Sequence, residues 1–470
     1  MHFKASKRQE EFFESKPSRF EISAWFIASF ALSVAAFYFS YFYYSASLQI
    51  SAFLGILVWL IVLWTNGALP LGIVSLFPIV AFPAFGILSV KEATSNYANP
   101  IIFLFLGGFM LAIAVEKINL HKIIAKYLLS RFNKTPQGII TALGSASVAL
   151  GAALSNSTVA LLLTPIALSI TKDSKLRMRF LLAVAFGASI SGITTPIGTP
   201  PNLILIGFLE TAGLGHISFI GWILLMLPLS LCMLFVMIKI LSFRLSKEEI
   251  EISAFDEVSI TWMHKRLLIM LGILLVVLLL NSPIPPLYAG LGFNENLILL
   301  SFGLLMFLPK IGFLSWDDSK FIPYEIIFLF GAGFCVAMGI SKLNLGDVFT
   351  PIFSSFGELP LFIFMVCVCF FVLLLTMFIS STALSAILLT ILFASTKEFL
   401  SPSYQSLTML IATICIGFSF MLPFSTPPNA IVANKGGIKA WDMFKFGFIL
   451  SVCGIFLILA FAFLYWQWVI

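Results

Sequence analysis

The residues best suited to bind a small ligand form a short polar stretch, Ser155-Asn156-Ser157-Thr158, between two apolar runs. Those runs, at 138–150 and 160–170, are both shorter than the roughly 20 residues that a helix needs to cross a bilayer. Backbone at membrane depth leaves the helical form only where it is buried in protein or lines a cavity. The pattern therefore predicts a re-entrant hairpin over 136–170, whose tip presents hydroxyl and amide oxygens and the N-terminus of a helix.

The same pattern occurs a second time in the chain. Ser380-Ser381-Thr382 follows the first polar stretch by 225 positions (380 − 155), and the apolar segment 101–109 recurs at 326–334 with the same offset. Pro200-Pro201-Asn202 is matched by Pro427-Pro428-Asn429 at an offset of 227 (429 − 202). Matched landmarks in one order indicate an internal duplication that covers most of the chain.

The composition is that of a membrane protein. The chain is 60% apolar and 10% charged, with a mean hydropathy of +1.07, whereas a soluble domain carries about 25% charged residues. We expect an all-α polytopic protein of about 11 spans, with two inverted repeats of about five transmembrane helices each. Each repeat contains one re-entrant hairpin, and an N-terminal helix precedes them. No soluble domain and no nucleic-acid partner are predicted.

The predicted domain organisation follows from the duplication and from the polar segments between apolar runs. It is a cytoplasmic N-terminal tail at 1–21, a first transmembrane helix with repeat 1 at 22–243, a cytoplasmic loop at 244–265, and repeat 2 at 266–470, with the second hairpin at 359–395.

The positions of the basic residues predict the orientation. With the N-terminus in the cytoplasm, all of the 27 Lys and Arg residues except Lys91, Lys342 and Lys397 fall on the inner side, as the positive-inside rule requires. Five crossings per repeat is an odd number, so the two copies face opposite ways and the C-terminus lies outside. We expect an integral protein of the plasma (inner) membrane. Inverted repeats with breaks at the midplane are typical of secondary transporters.

No ionisable residue falls within the two polar stretches or the two proline motifs. A proton relay would use an intramembrane carboxylate or His, and Glu210, His216 and Glu325 are expected near span ends. Hydrolytic and redox chemistry lack an acid, a base or a metal cluster, and a primary pump lacks a phosphate-binding loop. The chain is therefore not expected to be an enzyme or to need an organic cofactor.

The groups that remain suit a hard cation and an anion together. The proline motifs end the preceding helices and free backbone carbonyls for a cation, while the helices that resume offer N–H groups to an anion. Without a buried Lys or Arg, an anionic substrate needs bound cations as charge partners. Neutralising a dianion takes at least two positive charges. Two or more sodium ions are therefore predicted as the coupling ions.

These motifs resemble the divalent-anion:sodium symporter family. That family carries a Ser-Asn-Thr motif at each of two hairpin tips, here Ser155-Asn156-Ser157 and Ser380-Ser381-Thr382, and Pro-Pro-Asn loops that break two helices. The resemblance covers essentially the whole chain. It implies a homodimer in which a mobile transport domain moves like an elevator against a fixed scaffold, carrying a C4-dicarboxylate, citrate or sulfate.

The resemblance also implies site residues. Sodium would be held at one site by Ser155, Asn156 and Gly198 and at a second by Thr376, Ile379, Ser380, Ser381, Ser425 and Pro427. Substrate would contact Asn156, Ser157, Thr199, Ser381, Thr382 and Thr426. The loops would be supported by Pro200, Pro201, Asn202, Pro428 and Asn429.

Two positions depart from the family pattern. Ser381 stands where Asn is usual and Ser157 where Thr is usual; the lost amide at 381 removes one donor and one acceptor and leaves a larger pocket. Two alternatives to symport remain open at this point. One is a sodium-independent anion exchanger of the same fold, and the other is a channel or membrane scaffold without coupled flux.

Overall fold

Every regular element that the structure describes is helical, which confirms the all-α fold class. The structure, a computed structural model, describes residues 19–43, 46–66, 69–120, 123–124, 127, 131–152, 154–246, 249, 260–282, 288–343, 345, 359–377, 381–397, 399–423 and 425–469. Within these ranges it does not describe the side chains of 19–22, 65–66 and 382–383.

The α-helices are numbered here in chain order. The first ten are α1 (Arg19–Tyr38), α2 (Leu48–Asn66), α3 (Leu71–Val74), α4 (Phe77–Ala84), α5 (Val90–Asn96), α6 (Pro100–Lys117), α7 (Pro136–Gly151), α8 (Asn156–Ile170), α9 (Ser174–Thr194) and α10 (Pro200–Thr211). The others are α11 (Phe219–Ser242), α12 (Trp262–Asn281), α13 (Glu295–Leu305), α14 (Tyr324–Lys342), α15 (Leu361–Leu375), α16 (Ser381–Thr396), α17 (Pro402–Gly417), α18 (Pro427–Gly436) and α19 (Ala440–Leu464).

Several of these helices are long and apolar enough to cross a membrane. By length and composition there are seven in the described ranges, among them Ser174–Thr194, Phe219–Ser242 and Ala440–Trp468, and six shorter apolar helices accompany them. The chain is therefore an integral membrane protein. The number of about 11 crossings stays a prediction.

One apolar stretch is not a single helix. Residues 69–88 form α3 and α4, because Pro78 lacks an N–H group and its ring clashes with the carbonyl of residue 74, where α3 ends.

The described helices group into two compact units. The first contains α1–α5 and α14, from Met1–Tyr97 and Tyr324–Leu345. Within it, α14 packs against α3, α4 and α5. Gly331 leaves room there for the Tyr97 ring, which would overlap a Cβ atom at that position, and Lys342 forms an ion pair with Glu92 at 2.8 Å.

The second unit contains the remaining helices, from Ala98–Pro323 and Gly346–Ile470. In this unit α6 packs against α13 through facing glycines. A Cβ on Gly303 would lie 2.7 Å from the Cα of Gly107. This contact agrees with the close helix packing expected of small residues in membrane helices.

The second unit also contains two helical hairpins and two broken helices. Helices α7 and α8 occupy the first predicted hairpin, and α15 and α16 occupy the second. Helix α9 breaks and resumes as α10, and α17 breaks and resumes as α18. Helix α18 packs against α8, and α10 packs against α16, so each resumed helix lies on the hairpin of the other repeat.

Candidate functional site

The tip of the first hairpin is organised by Ser155. Its backbone is extended and its hydroxyl accepts the N–H of Thr158 at 3.2 Å, so Ser155 is the N-cap of α8. The Ser155 and Thr158 hydroxyl oxygens lie 2.8 Å apart. Ser155 is exposed, while Asn156, Ser157 and Thr158 are half-buried. The tip thus presents its oxygens to an accessible space.

Two contacts fix this tip to the end of α9. The Thr195 hydroxyl donates to the carbonyl of Ala152 at 3.1 Å. The Ser191 hydroxyl lies 3.4 Å from Oδ1 of Asn156. Because α9 is buried from Phe180 to Thr194, these contacts hold the hairpin tip against a well-packed part of the helix.

Gly192 is the point at which the predicted residues of the first repeat meet. A Cβ atom there would lie 2.8 Å from Nδ2 of Asn156 and would overlap the Thr199 methyl group. A Cβ on Gly198 would lie 2.5 Å from the Gly192 carbonyl oxygen, to which the Thr199 hydroxyl donates at 3.3 Å. The structure therefore brings Asn156, Gly198 and Thr199 together around a residue without a side chain.

The two helix breaks have the same internal hydrogen bonds. Nδ2 of Asn202 donates to the carbonyls of residues 192 and 195 at 2.7 and 3.0 Å. Nδ2 of Asn429 donates to those of residues 419 and 422 at 2.9 and 3.1 Å. In both repeats the acceptors lie 10 and 7 positions before the asparagine. The N-cap threonines also agree, with φ/ψ of −144/149 at Thr199 and −142/151 at Thr426.

Several carbonyls of the first break also accept hydrogen bonds. Asn202 donates to those of Gly192 and Thr195, and Nε1 of Trp222 donates to that of Ile193 at 2.9 Å. A carbonyl has two lone pairs, so the expectation that the breaks offer carbonyls to a cation stays a prediction. The buried side chains of Asn202 and Asn429 each leave Oδ1 without a hydrogen-bond partner.

The oxygen-rich composition fits a hard cation rather than a transition metal. No group of three or more His, Cys, Asp or Glu residues that could hold a metal ion occurs in the described ranges. Hydroxyl and amide oxygens suit hard cations. The hydroxyl of Ser155 and the amide oxygen of Asn156 are donors of this kind.

The second repeat is described in part. Thr376 is buried at the end of α15, where its hydroxyl donates to the carbonyl of Leu373 at 2.8 Å. Ser381 begins α16 and is half-buried. Ile379 and Ser380 lie outside the described residues, as does the side chain of Thr382.

The predicted residues of the second break differ in burial. Ser425 is buried, Thr426 is half-buried, and the Thr426 hydroxyl accepts the N–H of Asn429 at 3.4 Å. Pro427 and Pro428 follow in the first turn of α18, where their missing N–H groups cost no helical hydrogen bond.

The two breaks are neighbours in the second unit. A Cβ on Gly417, the last residue of α17, would lie 3.1 Å from a methyl of Ile193 near the end of α9. The rings of Phe186 and Phe420 meet edge to face at 5.5 Å. Together with the packing of each resumed helix on the opposite hairpin, these contacts make the two breaks and the described hairpin helices neighbours in the second unit.

The expectation of no ionisable residue concerned the four motifs alone. Glu116, in the last turn of α6, lies outside them and is half-buried. At the offset of 225, Ser341 stands at the position that corresponds to Glu116 (341 − 116).

A second group of ionisable residues lies at the far end of α10. Nδ1 of His216 and Oε1 of Glu210 are 2.6 Å apart, and buried Glu295 accepts the N–H of Phe219 at 2.6 Å. The hydrogen bond to Glu210 raises the pKa of His216 above its ordinary value of 6.5, against an opposing effect of burial, and the charges of Glu210 and Glu295 raise it further. None of these residues belongs to the predicted binding motifs.

One cavity lies apart from the predicted motifs. It has a volume of about 500 Å3 and is lined by the N-terminal turn of α9 and the junction of α18 and α19, including Lys175, Arg177, Arg179, Lys439 and Asp442. It contains no predicted site residue.

Comparisons with known proteins extend over most of the chain. Residues 57–405 match the model of a family described as "Citrate transporter". The chain is 29% identical over 440 residues to a sodium-dependent dicarboxylate transporter, SdcS, of Staphylococcus saprophyticus, covering 86% of this chain and 84% of the relative. It is 26% identical to a sodium-dependent high-affinity dicarboxylate transporter of Caenorhabditis elegans, covering 83% and 79%.

One solved structure shares the fold. The YdaH transporter of Alcanivorax borkumensis superposes with a TM-score of 0.56 over 80% of this chain and 87% of that one, at 14% identity. At this identity the likeness concerns the fold alone.

Proposed function

The chain belongs to the citrate transporter family, and from this premise we propose that it is a secondary transporter that carries a divalent anion together with sodium ions. The resemblance to divalent-anion:sodium symporters seen in the sequence is confirmed at the level of the family. C4-dicarboxylates are the first substrates to test, because relatives covering most of the chain are named for sodium-dependent dicarboxylate transport.

The observation that carries this proposal is the matched pair of asparagine-held breaks, each resumed helix packed on the opposite hairpin. This arrangement gathers helix N-termini and uncharged oxygens. Four such N-termini, of α8, α10, α16 and α18, begin at predicted site residues. Their N–H groups and dipoles favour an anion.

The charge balance supports coupling to a cation. The predicted substrate residues are all uncharged, so a dianion in this site lacks a fixed positive partner among them. Removing two negative charges from water without such partners is costly. Sodium ions bound beside the anion lower that cost, and we propose that they bind first and complete the anion site.

The proposed ligands are those that the sequence motifs single out. For the first sodium ion they are Ser155, Asn156 and Gly198, and for the second they are Thr376, Ile379, Ser380, Ser381, Ser425 and Pro427. For the anion they are Asn156, Ser157, Thr199, Ser381, Thr382 and Thr426. We further propose an elevator-type movement of the hairpins and broken helices, a homodimer, and a cytoplasmic N-terminus.

Thermal unfolding in detergent tests the order of binding. A ligand that binds only the folded state raises the melting temperature, and the stabilisation grows as RT ln(1 + L/Kd), where L is its free concentration. Sodium alone should raise it, relative to choline at equal ionic strength, and succinate should raise it further only when sodium is present. Stabilisation by succinate that is the same in choline would contradict sodium coupling and support an anion exchanger.

A further inference from the structure

A cavity lined mostly by basic side chains lies where two candidate spans begin. It has a volume of about 500 Å3 and is lined by residues at the starts of the spans Ser174–Thr194 and Ala440–Trp468. Four charged lining residues are basic and one is acidic: Lys175, Arg177, Arg179, Lys439 and Asp442. Small-molecule sites have volumes of about 300–1,000 Å3, so the cavity is large enough for a charged small molecule or a lipid headgroup.

The chain reversal between α18 and α19 forms one wall of this cavity. Beyond the end of α18, Gly437 takes a left-handed conformation with a φ of 64°, and the N–H of Ile438 donates to the carbonyl of Ala433 at 3.0 Å. Lys439 is the N-cap of α19, and its side chain makes no capping hydrogen bond. The N-terminus of α9 forms another wall. Both helix N-termini carry a partial positive charge, which adds to that of the basic side chains.

Two charged groups beside the cavity are occupied by backbone partners. Nη1 of Arg179 donates to the carbonyls of Leu241 and Phe243, each at 2.7 Å. Oδ1 of Asp173, the N-cap of α9, accepts the N–H of Lys175 at 2.7 Å. These contacts fix the start of α9 and tie it to the end of α11, so they position the wall of the cavity.

The other basic groups of the lining have no acidic partner. Lys175 and Lys439 are exposed and form no ion pair with any described residue. Arg177 donates from Nη2 to a backbone carbonyl at 2.8 Å, which fixes its guanidinium group without neutralising it. The lining carboxylate, Asp442, lies 3.7 Å from Lys445. The cavity therefore keeps an excess of positive charge, which attracts an anion.

An exposed aromatic face of α19 begins beside the cavity and continues along the span. The ring centroids of Trp441 and Phe444 lie 5.4 Å apart, those of Phe444 and Phe448 lie 5.8 Å apart, and both pairs are stacked. Trp441 is 63% exposed and Phe448 is 47% exposed. Trp is enriched where membrane meets water, and exposed apolar patches mark interaction sites that include membranes. A soluble anion would use only the charges, whereas a phospholipid would use the charges and this face.

We propose that the cavity binds the phosphate group of an anionic phospholipid, whose acyl chains lie along Trp441, Phe444 and Phe448. Lys and Arg donate charge-assisted hydrogen bonds to phosphate oxygens, and basic pockets between membrane helices bind anionic headgroups. The cavity lies at the ends of α9 and α18 that are opposite to the two breaks. The lipid site is therefore separate from the sodium and anion motifs and does not depend on the proposed function.

The test measures lipid binding by the purified full-length protein. Its melting temperature is followed in mixed micelles of an uncharged detergent with increasing mole fractions of phosphatidylglycerol, in choline chloride without sodium or substrate. Phosphatidylcholine replaces it in a second series, as a phospholipid without net charge. Glycerol phosphate replaces it in a third series, as a soluble phosphate ester without acyl chains.

Three variants and two matched controls are compared. The variants are Lys175→Gln, Lys439→Gln and Trp441→Ala, all at exposed positions, where substitution should not prevent folding. The control for charge is Lys435→Gln, at an exposed position on α18 that does not line the cavity. The control for the aromatic face is Trp262→Ala, at an exposed position at the start of α12.

Phosphatidylglycerol should raise the melting temperature of the wild type well above the effect of phosphatidylcholine or glycerol phosphate. Lys175→Gln and Lys439→Gln should each raise the mole fraction at half-maximal stabilisation about fivefold, the order for one basic residue beside an anionic membrane surface. Trp441→Ala should raise it as well, because the acyl chains lose a contact. Lys435→Gln and Trp262→Ala should bind the lipid as the wild type does.

Several results would overturn the proposal. Equal stabilisation by phosphatidylcholine would show that the headgroup charge is not recognised, and equal stabilisation by glycerol phosphate would assign the cavity to a soluble phosphate ester. An equal loss in Lys435→Gln and in the cavity variants would show that general surface charge attracts the lipid. Wild-type binding by Trp441→Ala would contradict the contact with acyl chains. None of these results bears on sodium coupling, because sodium is absent from the test.

Discussion

Asn202 and Asn429 close the two helix breaks with the same pair of hydrogen bonds, to carbonyls 10 and 7 positions earlier in the chain. Both side chains are buried, and both leave Oδ1 without a partner. The two asparagines of the matching motifs thus hold the backbone of their breaks in the same way. They also leave one oxygen each in the region where the repeats meet.

Replacing either asparagine should therefore have the same consequence. Asn202→Ala or Asn429→Ala removes two buried hydrogen bonds, each of which contributes about 0.5–1.5 kcal/mol to stability. We expect both variants to unfold at a lower temperature and to bind sodium more weakly. Asn434→Ala, an exposed position on α18, is the control and should unfold as the wild type. A loss confined to one asparagine would contradict the equivalence of the breaks.

Gly192→Ala tests the close approach of Asn156 and Thr199. The added methyl group would lie 2.8 Å from Nδ2 of Asn156 and overlap the Thr199 methyl, so both side chains must move. We expect succinate uptake to fall at least tenfold while the protein still folds, because the clash is with side chains. Gly272→Ala in α12, with nothing within 4 Å of the new methyl, should be neutral or slightly stabilising, since Ala favours helix by about 1 kcal/mol. Equal uptake by the two variants would refute this geometry.

The His216–Glu210 pair should make stability depend on pH. The pKa of His216 in the fold lies above its ordinary value of 6.5, so the fold favours the protonated ring. Its stabilising contribution is complete below 6.5 and is lost as the pH rises through the raised value. The melting temperature of the wild type should exceed that of His216→Asn at low pH, and the difference should shrink as the pH rises.

The partner of His216 provides the check on this prediction. Glu210→Gln removes the negative charge that favours the protonated ring, and it should abolish the same low-pH difference. A difference between wild type and His216→Asn that grows with rising pH would show that the ring is held neutral instead.

Ser381→Asn tests whether position 381 contributes to substrate selectivity. Asparagine restores the donor and acceptor that the family usually has there, at the N-terminus of α16. We expect succinate to compete several-fold better for uptake, and sulfate less well. Ser401→Asn, at the exposed N-cap of α17, should leave the competition profile unchanged. An unaltered profile in Ser381→Asn would count against a contact between this residue and the substrate.

Much of this architecture could be predicted because it depends on local sequence. A polar stretch such as Ser155–Thr158 between two runs too short to span forces a break. A Pro-Pro pair ends one helix and begins another. The duplication then predicted which segments correspond, and α7, α8, α15 and α16 lie where the two hairpins were expected.

The parts that could not be predicted depend on packing between distant segments. The hydrogen bond from Thr195 to the carbonyl of Ala152 joins residues 43 positions apart (195 − 152), and no local pattern relates them. The hydrogen bond from Trp222, on α11, to the carbonyl of Ile193 likewise depends on packing between distant segments. It forms because α11 packs against α9. The positions of prolines show where a helix breaks, but only the tertiary structure shows which groups donate hydrogen bonds to the carbonyls at the break.

The most direct test of the account is the uptake of labelled succinate into proteoliposomes under an inward sodium gradient. If sodium ions bound in both repeats complete one anion site, the wild type should accumulate succinate above its outside concentration. Replacement of sodium by choline should abolish that accumulation. Asn156→Ala should abolish it as well, and Asn434→Ala should not. Accumulation that is the same in choline as in sodium would contradict the account.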